Sequence, residues 1–226
     1  MGTPGEKPRS MLSADYQRDW PEYFDAVDGK PPRDTLVRAL DAFEREGRPA
    51  GKGPLLAVDI ACGQGRDTLE MLRRTSPRWR VIAVDSHTEA TRRTLAAIAL
   101  EDMERVLVCQ LRMEEIAERG AGTIPARVDL INASFALPFC EPGAFASLWG
   151  FITGRLGRGG RFSGQFFGDR DEWSCVRPQS HFTRAQVEAL LQPFAVEHME
   201  EVDKEGDDAI GGVKRHHVFH VVARRL

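Results

Sequence analysis

Apolar positions follow two alternating rhythms along this chain. Short, nearly unbroken apolar runs read as strands buried on both faces: "LLAVDI" (55–60), "WRVIAVD" (79–85), "RVLVCQL" (105–111), "RVDLINA" (127–133) and "GGRFSGQFF" (159–167). Helical patterns separate them. "RDTLVRALDAFEREG" has Leu36, Val37, Leu40 and Phe43 at helical spacing and Gly47 as its stop. Further helices are predicted over about 66–74 and in "TEATRRTLAAIALE", "EEIAER" and "PGAFASLWGFITGRL". The ending differs: helix "TRAQVEALL", capped by Thr183, leads to "FAVEHMEEV", an acidic loop "DKEGDDAIGG" and "VKRHHVFHVVARR". Two strands joined by a loop predict an antiparallel hairpin. The pattern predicts an α/β fold: a doubly wound, Rossmann-like sheet, mostly parallel and closed by a C-terminal antiparallel hairpin. Residues 33–226 form one domain in this reading, and residues 1–32 an N-terminal leader and lid segment.

Composition narrows the partners. The 226 residues are 42% hydrophobic and 29% charged with a net charge of −3, so no global basic charge attracts nucleic acid or an anionic membrane. No apolar run approaches the roughly 18 residues of a membrane span, and the opening "MGTPGEKPRS" lacks a hydrophobic signal core. Cys62, Cys109, Cys140 and Cys175 are scattered, with neither a C-x-x-C pair nor a zinc spacing, which suits a reducing cytoplasm.

The candidate chemistry begins in "AVDIACGQGRDT" (57–68), a glycine turn after a strand. Gly63 and Gly65 let a backbone approach a nucleoside closely. A dinucleotide loop would carry a third glycine where Thr68 stands, and Asp67 in the first helical turn would repel a diphosphate. No G-K-[ST] follows, which removes a P-loop. Asp59 stands four residues before Gly63, and Asp85 ends the next strand 22 residues after it, placed to accept ribose hydroxyls. That acid is shared with NAD enzymes and supports a nucleoside in general.

D-x-x-x-G-x-G at Asp59, Gly63 and Gly65, with Asp85 and the closing hairpin, resembles class I S-adenosylmethionine (SAM)-dependent methyltransferases over about residues 33–224. "CGQGRD" is similar to the loop of the tellurite-resistance type of small-molecule methyltransferase. The resemblance implies SAM as cofactor and S-adenosylhomocysteine (SAH) as product. It implies a cofactor site at Asp59, Ala61, Gly63, Gly65, Asp85, Ser86, Met113, Glu114 and Asn132. A segment before the first strand would cover that site, with Tyr16, Trp20, Tyr23 and Phe24 as aromatic walls for the sulfonium and Arg33 for the methionine carboxylate. The same aromatics equally suit packing of the first helix onto the sheet.

Other positions depart from the family pattern. Arg112 occupies the place of an acid that meets adenine, and arginine accepts no hydrogen bond, which leaves Met113, Glu114 or backbone for that task. "NASF" (132–135) lacks the prolines of base-amino methyltransferases, which argues against a DNA or RNA substrate and for a small-molecule acceptor. "FFGDRDEWSC" (166–175) reads as a solvated loop or, through an exposed Trp173, a lid. Phe135 and Trp173 are the candidate substrate walls, and His181 and Asp169 the candidate catalytic bases. In "RHHVFH", alternation places His216 and His220 on one strand face and His217 on the other, without a partner ligand, so no metal site is expected. Glu197 to Asp208 reads as a solvated connection. Two alternatives share the loop: a SAM-binding or SAM-sensing protein without turnover, and an NAD-dependent oxidoreductase. Oligomeric state leaves no trace in the sequence.

Overall fold

The structure, a computed structural model, describes residues 18–47, 53–176 and 179–226. Tyr16 and most of the expected leader lie outside the described residues. The chain runs α1 (Trp20–Ala26), α2 (Asp34–Glu46), β1 (Leu55–Ile60), α3 (Arg66–Arg73), β2 (Trp79–Asp85), α4 (Thr88–Ala97), β3 (Val106–Gln110) and α5 (Met113–Arg119). It continues β4 (Val128–Ala133), α6 (Pro142–Arg155), β5 (Leu156–Gly168), β6 (His181–Phe182), α7 (Arg184–Leu190), β7 (Phe194–Asp207) and β8 (Val213–Arg225).

One sheet has the order β3-β2-β1-β4-β5-β8-β7, with β6 paired to the end of β5. β1 to β5 are parallel, and β8 enters antiparallel between β5 and β7. This is the predicted doubly wound sheet with its antiparallel closure. Helices cover both faces, as the near-continuous apolar strands require. Leu36, Leu40 and Phe43 of α2 pack with Met71 and Leu72 of α3 against Trp79, Val81 and Leu130. Phe145, Trp149 and Ile152 of α6, with Ile116 and Val187, cover Val58, Ile131, Phe162 and Phe219 on the other face. The buried Arg161 of β5 ties α2 to the hairpin by pairing with Glu46 and Glu197.

Local rules place the helices. Gly47 ends α2 at φ +66°, a left-handed conformation that costs glycine least. Thr183 caps α7, its hydroxyl accepting from the Gln186 backbone N–H at 3.3 Å.

Three elements depart from the sequence reading. α1 was not foreseen: it is a seven-residue helix with a proline in its first turn, and Asp19 caps it by accepting from Glu22 N–H at 3.0 Å. The two-residue β6 is also new. The acidic connection is strand rather than solvated loop as far as Asp207, because cations from β8 and its surroundings stand opposite its acids. Asp203, for example, pairs with Arg170 and Arg215. The hairpin therefore extends past the carboxyl edge of the parallel strands and stands over it.

Candidate functional site

β1 and β4 are neighbours although not consecutive, so the chain turns in opposite directions from their ends and leaves a crevice at their carboxyl edge. A cavity of about 950 Å³ lies there. Its near wall is the turn after β1, where Ala61, Gly63 and Gly65 have φ of +54°, +57° and +87°; Ala61 and Gly63 border the cavity and Gly65 is buried behind them. A Cβ on Gly65 would stand 3.0 Å from two side-chain atoms of Thr94, so this position is closed to a side chain on two counts.

Asp85 fixes the turn from β2. Its Oδ2 accepts from Gly63 N–H at 2.9 Å and its Oδ1 from His87 N–H at 2.8 Å. Both oxygens keep acceptor capacity, and the residue lines the cavity. Burial pushes its pKa up, against the hydrogen bonds that favour the charged form. Ala61 and Gly63 border the cavity beside it, and Ser86, Leu111, Met113 and Glu114 continue the wall. Glu114 Oε1 also accepts from Glu141 N–H at 3.2 Å. Arg112 is on the rim, its side chain 62% exposed and 3.5 Å from Glu114.

Asp59 and Asn132 lie beneath this wall. Both are buried and neither borders the main cavity; Asp59 reaches only a pocket of about 50 Å³ under the turn. Asn132 Nδ2 donates to Asp59 Oδ1 at 2.9 Å and to Asp67 Oδ2 at 3.1 Å, and Asn132 Oδ1 accepts from Ser134 and Ser163 hydroxyls. Thr68 donates to Asp59 Oδ2 at 2.6 Å, filling the place a third glycine would hold in a dinucleotide loop. Burial first, and the neighbouring Asp67 second, push Asp59 up to about 7. These groups brace the loop from below.

The far wall comes from distant segments. Tyr23 and Phe24 of α1 face the glycine turn, and Arg33 lies with its guanidinium 4.3 Å from the Phe135 ring centroid. Arg33 Nε is buried without a hydrogen-bond partner, and burial lowers its pKa, with Arg66 adding to the effect. Its backbone N–H donates to Asp67 Oδ1 at 3.0 Å. Trp173 lines the cavity but is buried, not exposed as its charged neighbours suggested. Lys214 ion-pairs with buried Asp171 and has its Nζ 4.0 Å from the Trp173 ring centroid. Burial pulls its ammonium below the usual lysine range.

Neither candidate base is on the cavity wall. His181 sits in β6 with its ring 5.8 Å from Phe167. Asp169 is solvent-exposed outside, 3.5 Å from the buried His217. The wall instead carries Lys214, His216, Val218 and His220, alternate residues of β8. The strand alternation foretold that His216 and His220 share a face. The missed signal was direction: β8 runs antiparallel to β5, so its first half lies at the carboxyl edge. Burial lowers the pKa of His220, whose ring is 5.9 Å from Phe135.

No protein-family model matches the chain, and neither does any curated protein sequence. Solved structures do. TehB from Haemophilus influenzae is similar at a TM-score of 0.63 and 15% identity, over 84% of this chain and 62% of that one. The chain therefore spans less than two thirds of TehB. The 1,6-didemethyltoxoflavin-N1-methyltransferase of Burkholderia thailandensis, with bound 1,6-didemethyltoxoflavin and SAH, gives 0.59 and 22% identity over 91% and 84%. The N-methyltransferase NodS of Bradyrhizobium japonicum, in complex with SAH, gives 0.59 and 15% over 88% and 90%. The fold is that of the class I SAM-dependent methyltransferases.

Proposed function

We propose that this protein is a SAM-dependent methyltransferase acting on a small-molecule acceptor. The observation that carries the reading is Asp85, which holds the glycine turn through Gly63 N–H while facing a cavity large enough for an adenosyl group and a second molecule. SAM supplies an activated methyl on its sulfonium, transferred by in-line displacement to an acceptor atom.

The residues present fit that cofactor. Asp85 would accept the ribose hydroxyls, and Ala61 and Gly63 would bring bare backbone to the nucleoside. Val84, Leu111 and Met113 offer apolar surface to the base. The buried, unpartnered Nε of Arg33 suits a carboxylate. Tyr23, Phe24 and Phe135 supply ring faces that attract a sulfonium. Two neighbours bind SAH, which supports the same cofactor here, and a neighbour that binds didemethyltoxoflavin supports a small acceptor.

Alignment of the acceptor supplies most of the rate, since the methyl is already activated. Where the acceptor must lose a proton, His220 is the group we assign as base. Its lowered pKa keeps a ring nitrogen free to take a proton at neutral pH. His181 and Asp169 do not border the cavity, and we do not assign them that role.

Thermal shift with SAM, SAH and NAD tests the cofactor. A ligand at 100-fold over its dissociation constant should stabilise by about 2.7 kcal/mol. A response to SAH and none to NAD is expected, and a response to NAD alone would overturn the reading. Transfer from labelled SAM into a metabolite mixture tests turnover; SAH binding with no labelled product would favour a SAM-sensing protein.

A further inference from the structure

Four aromatic rings converge on one guanidinium. Arg18 Cζ lies 4.5 Å from the ring centroid of Trp173, 5.3 Å from Tyr23, 5.6 Å from Phe139 and 5.7 Å from Trp20. All five residues border the cavity. Arg18 is two residues before α1, whereas Phe139 and Trp173 come from the connections after β4 and β5. Ring faces carry negative charge density, and a set of them around one point is a receptor for a cation.

The cage is offset from the glycine turn. Phe24 is the aromatic ring nearest Gly63, about one van der Waals contact from where its Cβ would stand. Trp20 stacks on Phe24 at 6.3 Å and meets Phe139 at 5.2 Å, so, beyond Tyr23, which also faces the turn, the cage lies one ring further out. Two acids, Glu205 and Asp207 of β7, line the same cavity. Lys214, whose Nζ also lies over the Trp173 ring, is paired with Asp171.

We propose that this cage is the subsite for a cationic group of the methyl acceptor, a guanidinium or an ammonium. Arg18 occupies it as an internal place-holder. The cage anchors the acceptor by its cation and leaves another atom of it to face the methyl. Arg18 is the residue that must leave, so a cation binding at this subsite competes with Arg18 for the rings. The proposal rests on the methyltransferase reading only for which end of the cavity receives the acceptor.

The test is titration calorimetry of agmatine, which carries both cations, into the full chain with and without SAH. Arg18→Gln should bind agmatine about tenfold more tightly than the parent. Adding Trp20→Ala, on a half-buried ring, should abolish the gain while the melting curve stays cooperative. Equal agmatine affinity in parent and Arg18→Gln would overturn the proposal. So would benzoate binding that the parent shows and Arg18→Gln loses, since Arg18 would then be an anion anchor. A gain for SAM over SAH in Arg18→Gln would assign the cage to the sulfonium and also overturn it. Absence of SAH binding in every form would sink the cofactor reading instead, and the agmatine titration without SAH still decides the cage.

Discussion

Around Gly63 and Asp85 the cavity wall is largely backbone, whereas around Trp173 and Lys214 it is side chain. The first region draws on consecutive strands, β1 and β2, whose turn is set by three positive φ angles and a carboxylate from next door. The second gathers residues from before α1, after β4, after β5 and from β8, far apart in the chain. A backbone wall serves a ligand that does not change. A side-chain wall can be exchanged residue by residue, which suits the part of a site that chooses among acceptors.

The contrast can be broken most forcefully on the side-chain wall. Asp171→Ala strands Lys214 in a buried site and removes the acceptor for Trp173 and His217 N–H groups. It should lower unfolding stability by about 3–5 kcal/mol, measured in denaturant, with SAH affinity changed far less once folded. Asp85→Ala should do the reverse. Loss of a charged acceptor costs about 1.5–3 kcal/mol, so SAH should bind roughly 10–100-fold more weakly by calorimetry, with a small change in melting temperature.

Two smaller effects sharpen the picture on the backbone side. Gly65→Ala forces a Cβ against Thr94 in a left-handed turn, and should cost roughly 1–2 kcal/mol of stability. Thermal melting and SAH titration should both register it, unlike Asp85→Ala. Asp59→Asn tests the buried network. In the folded protein Asp59 titrates at about 7, above an ordinary unfolded carboxyl near 3.8. The folded state therefore holds the extra proton between those values, and the contribution to stability is present below pH about 4 and lost as pH rises toward 7. The slope is at most about 1.4 kcal/mol per pH unit. Subtracting the Asn variant's stability–pH curve from the parent's should isolate it, and parallel curves would show that Asp59 is not held protonated.

The same contrast explains what was legible in the sequence. β1 and β2 were found with their ends, because an apolar run bounded by a turn is a local signal. Gly63, Gly65 and Asp85 follow from spacing for the same reason. Glu201, Asp203 and Glu205 looked like a loop because a single strand does not reveal its partners. Their balancing cations are Arg170, Arg184 and Arg215, and Glu205 stands directly opposite Arg215. Burial of Trp173 depends on β8 arriving beside it, and no pattern within 166–175 contains that fact. α1 is different: Asp19 and Pro21 before the aromatics were a readable start signal, at the limit of helix length.

The position of β8 carries one further consequence. It follows every other strand in the chain yet lies inside the sheet, between β5 and β7. During synthesis, β1 to β4 are made and can pair while β5 still lacks its partner on one side. The pairing that completes the sheet joins segments about fifty residues apart or more, the slower kind of contact to close. The nucleoside end of the cavity can thus take shape before its other end exists. A nascent chain would pass through a stage with an exposed strand edge on β5, and early SAM binding during that stage would act on folding yield rather than on catalysis.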